Sequence, residues 1–200
     1  VIVMKVKLSS AACIRSGQII FDNISFELRD GQLGYVSGSN GSGKTSLLRM
    51  IAGFVPLGSG ILSITPDCSE GLFVLGHNLA IKEDISPKDD ISFWSSYFGS
   101  DNKWDVLNKV GLSGVKETQC KYLSQGQRQR LGIARLLTSK SKLWLLDEPS
   151  SSLDRSGILL LEEIIYDHVH GGGIAIVSSH NNFLDKVDIN INLDNRNDFS

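Results

Sequence analysis

The sequence predicts an α/β fold with a mostly parallel core sheet, and three features carry that expectation. Short continuous apolar runs, Leu72–Leu75, Leu143–Leu146 and Ile174–Val177, alternate with segments of helical spacing, as strands buried on both faces do. A glycine-rich loop, Gly38-Ser39-Asn40-Gly41-Ser42-Gly43-Lys44-Thr45, sits between an apolar strand and a helix. The first part of the chain instead alternates apolar with polar residues, which predicts an antiparallel β layer beside the core.

The elements follow in order. Met4, Val6 and Leu8 alternate with Lys5 and Lys7; Ile24, Phe26 and Leu28 alternate with Ser25, Glu27 and Arg29, ahead of an Asp30-Gly31 turn. Residues 33–37 read as a buried strand, and residues 46–52 as a helix closed by Gly53. A short strand over 60–65 precedes the apolar run at Leu72. From about Asn78 to Lys140 the pattern is helical: Ser100 or Asp101 can cap a helix carrying Trp104, Leu107 and Val110, with Gly111 as its stop. A second helix begins after Gly126 and carries Leu131, Ala134 and Leu137. A third, with Leu161, Ile164, Ile165 and Val169, lies between the last two apolar runs and ends at Gly171-Gly172-Gly173. Residues 1–200 are expected to form a single domain with a helical subdomain at roughly 78–140, without internal repeat or long linker.

The 200 residues suffice for a proper core, and a formal charge of −2 gives no general pull toward nucleic acid or acidic lipid. Arg128, Arg130 and Arg135 on one helix predict a local basic patch. Cys13, Cys68 and Cys120 are isolated and read as reduced thiols in a reducing compartment. No apolar run approaches the roughly 20 residues that span a bilayer, and residues 1–8 are too short and too alternating for a signal peptide. The expectation is a soluble, cytoplasmic protein that can dock on a membrane partner.

The glycine spacing of residues 38–45 lets successive N–H groups curl around a polyphosphate at a helix start. Lys44 supplies a point charge for the β- and γ-phosphates, and Thr45 a hydroxyl for Mg²⁺. A nucleoside triphosphate is the implied ligand. Leu145-Leu146-Asp147-Glu148 closes an apolar strand with two carboxylates. Such a pair can divide the work of hydrolysis, Asp147 on the metal and Glu148 on the attacking water, although a charged strand end is also an ordinary turn. Leu123-Ser124-Gln125-Gly126-Gln127 opens a helix and makes a second anion site, which a chain with one complete phosphate loop needs only for a neighbouring copy; plain capping by Ser124 describes the same residues.

These motifs resemble the ATP-binding-cassette (ABC) ATPases over essentially the whole chain. The family signature L-S-G-G-Q is matched by Leu123–Gln127 with Gln125 for the first glycine. Ser151-Ser152-Leu153-Asp154 resembles the family's D-loop and His180 its switch histidine. The resemblance implies a P-loop ABC-ATPase domain that binds ATP and Mg²⁺ and forms a head-to-tail homodimer. Each ATP would lie between residues 38–45 of one copy and Ser124, Gly126, Gln127 and Asp154 of the other. His180 would contact the γ-phosphate and Glu148 would act as base. Where the family places a glutamine that senses Mg²⁺ and couples to the membrane partner, this chain has His77, within Gly76-His77-Asn78, which the resemblance makes a nucleotide-site residue; the adenine-stacking aromatic is missing, and Arg15 falls near its position.

Within the family, the chain resembles the haem-exporter ATPases of cytochrome c maturation. They share the G-S-N-G-S-G-K-T loop, Leu75-Gly76-His77 followed by Ile81-Lys82, and Gly172-Gly173-Ile174 leading to Ser179-His180. That likeness implies integral membrane transporter subunits as partners and a place on the cytoplasmic face of the inner membrane. The surface from His77 to Asp90, with Leu79 and Ile81 exposed, is the expected contact. An ATPase of another ABC exporter shares the same chemistry. Soluble ABC ATPases that act on DNA or ribosomes usually carry long coiled-coil insertions or two cassettes, and a P-loop kinase or GTPase leaves Leu123–Gln127 unexplained. A P-loop without activity is disfavoured by intact Lys44, Thr45, Asp147, Glu148 and His180.

Overall fold

In the computed structural model, which describes residues 3–66, 71–100, 105–180 and 182–194, two sheets stack against helices. The expected α/β architecture is present. Strands β3 (Leu33–Ser37), β5 (Leu72–Leu75), β6 (Leu143–Asp147), β7 (Ile174–Ser178) and β8 (Ile189–Asn192) make a parallel sheet ordered β5-β6-β7-β3-β8. Strands β1 (Lys5–Arg15), β2 (Gln18–Arg29) and β4 (Ser59–Thr65) make an antiparallel sheet ordered β2-β1-β4. The helices are α1 (Lys44–Ile51), α2 (Pro87–Phe98), α3 (Asp105–Lys109), α4 (Gln125–Thr138) and α5 (Arg155–His170).

The central strands β6 and β7 are buried at every position, which is why their sequences are continuously apolar. One face packs Trp144, Leu146, Ala175 and Val177 against α4 and α5. The other packs Leu143, Leu145, Ile174 and Ile176 against α1 and the antiparallel sheet. Burying apolar surface on both sides holds the strand tips, and the loops that leave them, in fixed relation.

Several elements differ from the sequence expectation. The first two strands meet in a two-residue turn, Ser16-Gly17, with φ of +49° and +76° and Arg15 opposite Gln18, as twisted hairpins require. Asp30-Gly31 instead joins the two sheets, with Gly31 at φ +79°. Helix α2 was hidden because its apolar residues are split between the core and exposed Phe93 and Tyr97. Its start is sharply marked all the same: Ser86 and Asp89 form a capping box, with Pro87 in the first turn. Strand β8 is a short alternating edge with little local signal. Asp101, Trp104 and Cys68 lie outside the described residues; Cys13 and Cys120 are buried free thiols, with burial raising both pKa values.

The expected basic patch on α4 does not form. Arg130 bonds Asp154, Arg128 lies 3.7 Å from Glu83, and Arg135 is buried beside Asp90. Arg135 is 5% exposed and Asp90 3%. Arg135 Nε donates to Asp90 Oδ2 at 2.6 Å, Nη1 donates to the Leu79 carbonyl at 2.6 Å, and the guanidinium stands over Trp94. This pair ties α2 and α4 to the segment after β5. Asp90→Ala leaves a buried cation uncompensated and is expected to cost about 3–5 kcal/mol in denaturant unfolding; replacing both partners with Leu and Met should cost much less.

Candidate nucleotide-binding site

The phosphate loop leaves β3 and ends in the first turn of α1. Gly38 sits at φ +149°, where an added Cβ would come within 2.5 Å of Ser42 Oγ; on Gly43, at φ +104°, it would come within 2.6 Å of Ile20 on β2. Only glycine fits either place. No side chain caps α1, so its first N–H groups face the loop's concavity unclaimed by a cap. Lys44 is buried, and its ammonium donates to the Gly38 carbonyl at 2.7 Å and the Ser39 carbonyl at 3.1 Å. Ser42 Oγ is buried without a hydrogen-bond partner among the described residues. An orphan hydroxyl inside such a loop fits a bound oxyanion.

Strands β3, β6 and β7 are neighbours, so the residues that follow them converge. Thr45 Oγ1 donates to Asp147 Oδ2 at 2.8 Å, and Ser178 Oγ donates to Asp147 Oδ1 at 2.7 Å. Asp147 is 5% exposed. A hydroxyl beside a fixed carboxylate is a hard-oxygen set, which suits Mg²⁺. Glu148 adopts the left-handed conformation, φ +52°, while its N–H donates to the Ser178 carbonyl at 2.9 Å. That turn aims its carboxylate at His180: the His180 N–H donates to Oε2 at 3.3 Å, and Nε2 is 3.4 Å from Oε1. Tyr35 anchors the same turn by donating to the Ser179 carbonyl at 2.8 Å. Burial, and then the Glu148 charge, push the Tyr35 phenol pKa upward.

The structure therefore brings Lys44, Thr45, Asp147, Glu148 and His180 together. Ser178 and Tyr35 support that row but were not expected from the sequence: each is an ordinary strand residue until its neighbours are known.

The second group of expected residues gathers elsewhere. Ser124 caps α4 and shares a capping box with Gln127, with bonds of 2.9 and 3.2 Å. A Cβ on Gly126 would stand 2.8 Å from the Ser152 carbonyl, so this glycine lets α4 approach residues 151–154. Gln129 donates to the Pro149 carbonyl at 2.8 Å, fastening the helix to the segment after β6. Asp154 caps α5 by accepting from the Gly157 N–H. That bond, then Ser156 and Arg130, hold its carboxyl below the usual range. Among the described residues, no hydrogen bond or ion pair joins 38–45 to 124–127.

His77 lines a cleft of about 390 Å³ with Gln125, Arg128 and Ser152, and among the described residues it bonds neither Thr45 nor Asp147. Arg15 ends β1 opposite Gln18, two positions from Ile20, which packs against Gly43.

The family model described as ABC transporter matches residues 21–151. A cytochrome c biogenesis ATP-binding export protein CcmA of Aliivibrio fischeri is 34% identical over 195 residues, covering 92% of this chain and 96% of its own. The protein of the same name from Rhodopseudomonas palustris is 39% identical over 175 residues, covering 84% and 88%. Among solved structures, a Pyrococcus furiosus ATP-binding protein assigned to the ABC transporters superposes with a TM-score of 0.84 at 24% identity, covering 95% of this chain and 98% of its own; at that identity the likeness speaks for the fold. A family-model match over more than half of the chain, residues 21–151, and relatives above 30% identity along nearly their full length make this chain a member of the ABC transporter ATPase family.

Proposed function

We propose that this ATPase energises an exporter of cytochrome c biogenesis, with haem as cargo, through membrane subunits of the CcmB and CcmC type. Relatives at 34–39% identity that are named as cytochrome c biogenesis ATP-binding export proteins support the export role. The chemistry rests on one observation: Thr45, Asp147, Ser178, Glu148 and His180 form a continuous bonded row beside the phosphate loop.

In this reading residues 1–200 act as a single nucleotide-binding domain with a helical subdomain at about 78–140. Gly38, Ser39, Asn40, Gly41, Ser42 and Gly43 wrap the β- and γ-phosphates with backbone N–H groups, and Lys44 turns its ammonium from the loop carbonyls to the phosphates. Thr45 and Asp147 would hold Mg²⁺, which would supply positive charge to the phosphate oxygens. Glu148 takes the proton of the attacking water, and His180 holds that carboxylate and meets the γ-phosphate. Arg15, at the hairpin tip beside the loop, offers a planar guanidinium to the base.

Ser124, Gly126, Gln127 and Asp154 serve the nucleotide of a second copy in a head-to-tail homodimer. His77 works between the subdomains, in its cleft with Gln125 and Ser152, and its link to the nucleotide runs through the facing copy. The complex is peripheral to the cytoplasmic face of the inner membrane. Among the described residues no helix is long and apolar enough to cross a membrane.

The docking surface is a groove of about 680 Å³ that includes Asn78, Leu79 and Ala80 and is walled by exposed Phe54 and Tyr97 beside Trp94. Leu79 and Ile81 themselves pack on the core, so the exposed apolar contact of the groove is aromatic, Phe54 and Tyr97. Lys88 bonds Glu117 at 2.7 Å, which makes Lys82 the better site for charge reversal. Lys82→Glu combined with Tyr97→Glu is expected to release the protein from vesicles carrying its membrane subunits in a flotation assay. The ATPase rate of the isolated chain should be unchanged. Retention on those vesicles would move docking to another face.

A further inference from the structure

The geometry points to Asp194 as a positioning residue of the phosphate loop: its carboxylate grips the Ser39 peptide and, through it, fixes the loop conformation in which a nucleoside triphosphate is received. It rests on the nucleotide site proposed above.

Strand β8 delivers the carboxylate. Ser37 pairs with Asn192, and the Leu193 N–H donates to the Ser37 carbonyl at 3.0 Å. Leu193 is buried, and its Cβ lies 3.4 Å from where a Cβ on Gly38 would stand. The Asn192 side chain accepts from the Asp194 N–H at 2.8 Å, turning the chain back onto the loop. Ser39 N–H then donates to both carboxylate oxygens at 2.9 Å, and Ser39 Oγ donates to Oδ1 at 2.8 Å. On its other side the Ser39 carbonyl accepts from Lys44 Nζ at 3.1 Å and from Ser42 N–H at 3.2 Å. One residue is thus held by its donor from β8 and by its acceptor from the loop's own lysine.

A carboxylate beside a triphosphate site needs a reason. Coulomb repulsion alone would weaken nucleotide binding, and within about a Debye length salt removes only part of that. Fixing the Ser39 peptide works the other way, because a loop already in its binding conformation loses less freedom when ATP arrives. The two effects have opposite signs, so a measurement of affinity separates them.

The test is calorimetric titration of the full chain with ATP and Mg²⁺, together with steady-state turnover. If Asp194 positions the loop, Asp194→Ala raises Kd and KM about three- to tenfold, the range of a charge-assisted hydrogen bond partly open to water, and kcat stays within about twofold. Asp194→Asn recovers part of the loss, since its single Oδ1 can keep both the N–H and the hydroxyl bond. Ser39→Ala, which leaves β8 untouched, raises KM by a smaller factor and adds little on top of Asp194→Ala, because the two changes share one contact. A merely structural role would lower the melting temperature without this split of KM from kcat. Unchanged or tighter binding by Asp194→Ala overturns the assignment and leaves Asp194 a repulsive neighbour. Loss of ATP binding in the unaltered chain would instead remove the site itself.

Discussion

Glu148→Gln is expected to lower ATP turnover by at least about 10²–10⁴-fold, the range of general-base loss, while ATP still binds and a nucleotide-bound dimer accumulates. The substitution keeps the shape of the side chain and its left-handed turn, φ +52°, and one carbonyl oxygen remains to accept the His180 N–H now 3.3 Å from Oε2. Asp147 is untouched, because its own partners are Thr45 and Ser178. What disappears is the capacity to take a proton. Single-turnover hydrolysis and size-exclusion chromatography with ATP measure the two halves of the prediction. Near-normal turnover would move the base elsewhere, and His180, with its ring 3.4 Å from the Glu148 carboxylate, would be the first residue to replace.

Ser124→Arg is expected to abolish turnover while leaving ATP binding to the single chain nearly intact. Ser124 makes no hydrogen bond to residues 38–45 of its own chain; its hydroxyl caps α4 by accepting from the Gln127 N–H. Loss of that cap costs about 1 kcal/mol, which the packing of α4 against α2, α3 and β5 can absorb. A large cation at this helix start would block the nucleotide of a facing copy. A one-to-one mixture of Ser124→Arg with Lys44→Ala chains should regain about a quarter of wild-type activity, since half the dimers then hold one intact site of two. If the mixture stays inactive, the shared site is lost as an explanation. Recovery, by contrast, is an outcome that cis-acting residues cannot produce.

Legibility followed the range of the forces involved. The phosphate loop, the capped start of α4 and the carboxylates closing β6 are written in neighbouring residues, because glycine conformations, helix caps and strand ends are local effects. Helix α2 was legible at its capping box but was missed for want of a clean apolar stripe. The three arginines of α4 misled: spacing on a helix says which residues share a face, and the partners Asp90, Asp154 and Glu83 come from other elements. Leu79 and Ile81 were expected at the surface and pack on the core for a similar reason, held there by the Arg135 bond to the Leu79 carbonyl.

By itself the sequence determined the class of this protein's ligand and its α/β class. A run of glycines before Lys44-Thr45, between strand and helix, admits few other conformations, and strands apolar at every position must be covered on both sides. Only the tertiary structure decided which strands are neighbours. The order β6-β7-β3-β8 places Glu148 against His180, 32 positions away in the chain, and Asp194 against Ser39, 155 positions away. No local pattern encodes those meetings. They arise when both sheet faces are buried at once, and burying apolar surface is non-directional, acting on the whole chain rather than on any segment of it.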